Sequence, residues 1–289
     1  MRAIIKKNIN GWIIVDKQAG ITSRQVVTKI SKILNLKKVG HGGTLDPLAT
    51  GILPIAIGEA TKVISLVQSK EKKYAFIIKW GVSTETDDSE GKVLEISKAR
   101  PTHKEITSIL NCFIGNVFQK PPLYSAIKIN GQRSYKLARQ KIEIEHKLRK
   151  IKVYNLTLKK IIDVNSAEFE VTCGKGTYVR SLARDIAEKL NTKGHIMSLR
   201  RLSVGPFDEK DTIFIDFSKE IIHSPSVLDK LLPIETVLDD IPALVLNEIE
   251  ARQVKQGQKI KFESLQFIKN FELKYPNNNA FEKTREICN

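Results

Sequence analysis

The stretch "VGHGGTLDPLATG", Val39–Gly51, sets four glycines, a histidine and an Asp-Pro pair directly before the apolar run "ILPIAI". Glycine lets backbone pass close to another group. Pro47 disfavours the α region for Asp46 and pushes it into an extended shape. The stretch is either an ordinary turn or a loop that holds the Asp46 carboxylate against a ligand. A carboxylate held that way serves as nucleophile or base, and inside a pocket it needs a cationic neighbour.

On both sides of this loop the patterns mix strands and helices. "GWIIVDK" gives a short strand over Trp12–Val15. Thr22 or Ser23 then caps a helix whose inward face is Val26, Val27, Ile30, Ile33 and Leu34. Ile52–Ile57 suits a buried strand, and "EATKVISLV" opens a second helix. Tyr74–Trp80 alternates as a strand, and the acidic "TETDDSEG" after it reads as a turn or loop. "THKE", Thr102–Glu105, fits a capping box, with Ile106, Ile109, Leu110 and Phe113 inward. Pro121-Pro122 and a tight turn at Asn130-Gly131 interrupt regular structure. The runs "KIKVYNLTL" and "AEFEVTC" then pair as strands. "GKGTYVRSLARDIAEKL" passes from a glycine loop into a helix, and "IMSLRRLSVGPF" is a further strand. Hairpins mixed with helices predict an α+β fold with a largely antiparallel sheet, not a doubly wound parallel one. Beyond Leu231 the texture changes to a linker, a helix and the start of a small β unit, and the last residues read as a loose tail.

The chain has 289 residues and a formal net charge of +16, which points to a polyanionic partner. The charge is concentrated: Lys120–Lys160 holds twelve Lys/Arg against Glu143 and Glu145, with Tyr124 and Tyr135 among them. That is the texture of a phosphate-binding surface. No apolar run is long enough to cross a bilayer, and the N-terminus has no apolar core of the signal-peptide kind, so a cytoplasmic protein is expected. Cys112, Cys173 and Cys288 are odd in number and far apart. They are expected to be two core thiols and one tail thiol, without a disulfide or zinc framework. The five histidines show no HxxxH or HxH spacing, so no metal is expected. "CGKGTYVRS" fails the phosphate-loop pattern, because Phe169 stands where its first glycine belongs and Gly176 follows Lys175. No GxSxG elbow is present.

Five motifs, in order, resemble the bacterial tRNA pseudouridine synthase B family. "GHGGTLDPLATGILPIAIGEATK" (Gly40–Lys62) resembles its signature and "KKYAF" (Lys72–Phe76) its base-stacking tyrosine motif. "PPLYSAIKINGQRSYKLAR" (Pro121–Arg139) is similar to its RNA-gripping insertion, "KGTYVRSLARDI" (Lys175–Ile186) to its arginine motif and "SLRRLSVGPF" to its closing one. The resemblance spans about Gly11 to Asp240. It implies a pseudouridine synthase fold, a mixed and mostly antiparallel sheet flanked by helices, with a catalytic domain over 1–235. The RNA-gripping insertion would lie at about 120–150. A PUA-like remnant would occupy 236–289, shortened because the tail after Phe262 lacks the family's glycine-rich apolar final strand. Gln18 stands where the family has proline.

The activity so implied is isomerisation of uridine-55 in the tRNA T-loop to pseudouridine, without cofactor or metal. Asp46 would be the catalytic carboxylate. Whether it attacks C1′, adds to C6 or deprotonates C2′ is left open. Arg180 would be its partner. Tyr74 would stack on the uracil and handle the C5 proton, Leu199 would wall the pocket and Tyr178 would line it. His41 would lean into the RNA loop beside the vacated base, and Lys128, Arg133, Lys136 and Arg139 would hold phosphates. The implied partner is the tRNA T-arm, bound by a monomer that needs no protein partner. Two other functions fit parts of the sequence: an RNA-binding or RNA-folding protein that keeps the fold without the chemistry, and a phosphate-ester enzyme that uses the glycine loops.

Overall fold

The computed structural model describes residues 9–129, 131–217, 227–238 and 246–258. The chain divides into two compact units, Met1–Thr236 and Val237–Asn289.

The first unit is built on a nine-stranded sheet. Its early elements are β1 (Gly11–Lys17), α1 (Ser23–Leu34), β2 (Val39–His41), β3 (Thr50–Ile57), a 3-10 turn over Gly58–Val63, α2 (Ile64–Ser69) and β4 (Lys72–Trp80). Next come the short hairpin of β5 (Val82–Thr84) and β6 (Val93–Ile96), then α3 (His103–Ile109) and β7 (Gly115–Gln119). The basic insertion carries β8 (Lys128–Ile129), β9 (Gln132–Arg133) and α4 (Ser134–Arg139). The unit is completed by β10 (Arg149–Asp163), β11 (Ser166–Cys173), α5 (Val179–Lys189), β12 (Gly194–Val204) and β13 (Thr212–Phe214). Strand order is β13-β1-β3-β12-β4-β11-β10-β7, with β2 paired to β3. Among the described residues only β1/β13 and β3/β12 run parallel within this sheet; the other pairs are antiparallel, as the mixed pattern of the sequence predicts.

Local sequence accounts for the helix starts. Thr22 and Thr102 each cap a helix in a capping box, with Gln25 and Glu105 returning the second bond. Val26, Ile30 and Ile106 are buried in the core, and Val27, Ile33, Leu34, Ile109 and Phe113 pack against it. Two expectations need correction. The helix expected at "EATKVISLV" opens as a 3-10 turn and becomes α-helical only at Ile64. Cys112 is exposed, not a core thiol, while Cys173 is buried at the end of β11. Cys112 sits in the 3-10 turn after α3, where Leu110 faces the core and Cys112 faces out.

The central strand β3 positions the site. One edge pairs with β1 from Gly51 to Ile57. The other edge is shared: β2 pairs with Ile55–Ile57, and β12 pairs with Thr50 and Gly51. Between these two partners, Gly42 N–H reaches Pro54 O at 2.7 Å and Arg201 Nε reaches Ile52 O at 2.7 Å. The Asp46 loop leaves the sheet at this gap.

In the second unit Asn247 caps α6 (Glu248–Lys255) in a capping box with Glu250. The expected β unit of a PUA-like remnant, the tail, Cys288 and Asn130 of the insertion turn lie outside the described residues. No helix among the described residues is long and apolar enough to cross a membrane.

Candidate active site

The Asp46 loop is tied down at every step. Ser23, at the start of α1, accepts from Leu45 N–H at 2.9 Å and donates to Leu45 O at 3.1 Å. Pro47 O accepts from Gly20 N–H at 2.8 Å and from Lys17 Nζ at 3.0 Å. Lys17 is fully buried, and its ammonium also donates to Gln18 O at 2.8 Å and Ile21 O at 2.6 Å. Burial pushes this ammonium down to about 8, against the pull of the nearby Asp46 charge. Gly51 lies within β3 at φ +98°, and a Cβ there would stand 2.2 Å from Arg201 O. Only glycine allows β3 and β12 to approach so closely.

Held in this way, the Asp46 carboxylate meets Arg180 from α5. Arg180 Nε donates to Oδ2 at 2.9 Å and Nη2 to Oδ1 at 3.2 Å, a two-point contact. Arg180 is buried. Its remaining donors meet Thr86 O at 2.7 Å and Tyr124 O at 2.9 Å, and Asp88 Oδ2 lies 3.6 Å from Nη1. The guanidinium is thus aimed by four separate groups. The start of α5 is fixed by the buried Gln119, whose side chain bonds both the N–H and the C=O of Tyr178, at 2.9 and 3.1 Å.

Asp46 and Arg180 face a cavity of about 270 Å³. Tyr74, Tyr178, Leu199, Leu45, Lys72 and Arg201 also line it. Tyr74 and Arg201 stand directly opposite each other on β4 and β12, as do Phe76 and Leu199. Burial pushes the Tyr74 phenol up while Arg201 draws it back; burial raises the Tyr178 phenol as well. Lys72 is buried, with Nζ on Gln68 O at 2.6 Å, and burial pushes it down to about 8. Buried Arg201 also donates to Gly43 O at 3.2 Å, joining the loop to the sheet. The arrangement offers an oriented carboxylate, a fixed cation and an aromatic face in one partly apolar chamber, which suits chemistry on a planar base drawn out of its stack.

Of the residues singled out in the sequence, Asp46, Tyr74, Tyr178, Arg180 and Leu199 converge on this cavity. His41 lies at the end of β2, outside the lining; burial and the Arg201 charge lower its imidazole. Lys128, Arg133, Lys136 and Arg139 are exposed on the insertion, away from the lining. Sequence reasoning missed Lys17, Gln119 and Arg201, and it passed over the acidic loop as a turn. In that loop Asp88 stands beside Arg180, and Asp87 pairs with Arg184 at 2.8 Å. Burial pushes the Asp87 carboxyl up to about 6 in spite of that arginine. Two adjacent acids in a strongly basic chain were the available signal.

Residues 31–179 match the TruB family pseudouridylate synthase N-terminal domain, and residues 180–239 match the tRNA pseudouridylate synthase B C-terminal domain. Proteins called tRNA pseudouridine synthase B from Rhodospirillum rubrum and Gluconacetobacter diazotrophicus are similar to the chain at 48% and 44% identity. The alignments cover 87% and 90% of this chain and 82% and 85% of those proteins. Among solved structures, a Cbf5-Nop10-Gar1 complex contains a chain 30% identical, with a TM-score of 0.65, covering 86% of this chain and 68% of that one. An H/ACA RNP bound to a substrate RNA containing 2′-deoxyuridine gives 26% identity, a TM-score of 0.63 and coverage of 86% and 67%. The fold and these relatives place the chain in the class of RNA-modifying isomerases, the pseudouridylate synthases. The chain belongs to the TruB family of pseudouridylate synthases.

Proposed function

We propose that this protein converts uridine-55 in the T-loop of tRNA to pseudouridine, with Asp46 as the catalytic carboxylate. The observation that carries the reading is the two-point Asp46–Arg180 contact opening on a chamber lined by Tyr74 and Leu199. In the reaction the C1′–N1 bond breaks, the uracil turns, and C1′ bonds to C5. C5 gives up a proton and N1 gains one, so substrate and product are isomers and the balance needs no redox partner. Arg180 orients the carboxylate toward the sugar side of the flipped nucleotide. Tyr74 stacks on the base and handles the C5 proton, and Leu199 and Tyr178 wall it in. His41 leans toward the place the base has left. Flipping costs a few kcal/mol of stacking. Phosphate contacts from Lys128, Arg133, Lys136 and Arg139 offset that cost. The enzyme works in the cytoplasm as a monomer without a protein partner.

The test is to incubate the purified chain with an unmodified tRNA transcript, without nucleotide or added metal, and map pseudouridine by chemical probing and sequencing. Conversion at position 55 alone is expected. A bound but unconverted transcript would favour the RNA-binding alternative, and conversion elsewhere would change the substrate assignment.

A further inference from the structure

The catalytic arginine is in contact with the RNA-gripping insertion. Arg180 Nη2 donates to Asp46 Oδ1 at 3.2 Å and also to the carbonyl of Tyr124 at 2.9 Å. Tyr124 belongs to the start of the insertion, two residues after the buried Pro121-Pro122 pair. Its hydroxyl donates to Glu85 Oε1 at 2.8 Å. Glu85 is adjacent to Thr86, whose carbonyl accepts from Arg180 Nη1 at 2.7 Å. Glu85–Thr86, Arg180 and Tyr124 therefore form a closed ring of hydrogen bonds around the guanidinium. Further along the insertion, Tyr135 N–H bonds Ser125 O at 3.0 Å, and the buried Ser134 hydroxyl bonds Leu123 O and meets His146 Nε2 at 2.9 Å. The segment that presents the Tyr124 carbonyl is thus continuous with α4, which carries Lys136 and Arg139.

We infer that Tyr124 is a positioning residue: its hydroxyl, anchored on Glu85, holds its carbonyl on Arg180, so that the Asp46–Arg180 geometry depends on the insertion being seated. The Tyr124 ring does not enter the chemistry. An arginine that lost this acceptor would have a free donor and a second orientation, and a small misplacement of a catalytic pair is costly in rate. The inference rests on the proposed activity for its rate readout but not for its structural one.

The experiment uses the full-length protein with Y124F, E85A, E85Q and the double variant Y124F/E85A. Single-turnover pseudouridine formation is measured at saturating enzyme, alongside tRNA affinity by filter binding. Loss of one hydrogen bond that orients a charged group predicts a rate about tenfold lower in Y124F and in E85A. Affinity should stay within about twofold, because the phosphate contacts remain in place. E85Q keeps an acceptor oxygen and should recover most of the loss seen in E85A. The double variant should be no slower than either single one, since both remove the same bond. In the same samples the Arg180 Nε–H resonance, assigned by its disappearance in R180K, should exchange faster with water in Y124F. Unchanged rates, losses that multiply in the double variant, or a loss confined to affinity would each overturn the role. If the wild type converts no uridine, the proposed activity fails, and the Arg180 exchange rate still decides the positioning role.

Discussion

The Asp46 loop and the basic insertion are both irregular stretches leaving the same sheet, yet they are fastened in opposite ways. The loop is held by Ser23 at Leu45, by the fully buried Lys17 at Pro47, by Arg201 at Gly43 and by Arg180 at the carboxylate itself. The insertion is fastened through the Tyr124 carbonyl on Arg180, the Tyr124 hydroxyl on Glu85 and the Lys120 carbonyl on Arg184, while Lys128, Arg133, Lys136 and Arg139 are exposed. The difference suits the two tasks proposed for them. Breaking a glycosidic bond needs a carboxylate placed to a fraction of an ångström. Gripping a polyanion needs charge, and exposed side chains supply it without a fixed geometry.

The comparison breaks most severely at Arg180. Arg180→Met leaves Asp46 and the buried Asp88 facing each other without their cation. Unfolding free energy in urea should fall by about 3–5 kcal/mol. An unchanged midpoint would mean that the pair is not structurally coupled.

Lys72 sharpens the account through pH. Its folded-state value, about 8, lies below the ordinary 10.5. The unfolded chain therefore binds more protons between those limits, and stability contributed here rises with pH across that window. Relative to Lys72→Met, the wild type should gain on the order of 3 kcal/mol between pH 7 and pH 10.5. Parallel stability curves for the two proteins would show that Lys72 is solvated like any other lysine.

Gly51→Ala forces a Cβ against Arg201 backbone at a left-handed φ. A loss of about 2 kcal/mol is expected from strain at such a site. A melting temperature equal to that of wild type would remove the close approach of β3 and β12 from the account.

The smallest effect belongs to the insertion. Replacing Lys128, Arg133, Lys136 and Arg139 together by alanine should weaken tRNA binding about tenfold and flatten its salt dependence, with stability untouched. A salt slope identical to wild type would take these four out of the phosphate contact.

Much of this was legible in the sequence where the cause is local. The capping box at Thr102, a helix start at Thr22 or Ser23, the buried run of β3 and the pairing of β10 with β11 follow from spacing and side-chain type over a few residues. Asp46, Tyr74 and Arg180 were legible through resemblance, as members of ordered motifs. What stayed hidden depends on contacts between distant parts of the chain. Nothing near Lys17 indicates that its ammonium will sit on Pro47 O, and nothing near Asp88 indicates Arg180. Arg201 gave no signal of its own, because its carbonyl acceptors lie far away in sequence, Ile52 on β3 and Gly43 in the Asp46 loop, and the parallel pairing of β3 with β12 is not visible in local pattern. Cys112, expected in the core, is exposed in the 3-10 turn that follows α3, a placement that the number and separation of the cysteines do not reveal.

The division of labour is tested most directly by Asp46→Asn, with pseudouridine formation and tRNA affinity measured on the same preparation. The side chain keeps its size and loses its charge, so affinity should stay within about twofold while the single-turnover rate drops at least about 10³-fold, or about 4 kcal/mol of barrier. A variant that still converted uridine-55 at a rate near wild type, or one that lost its rate only through loss of binding, would contradict the account.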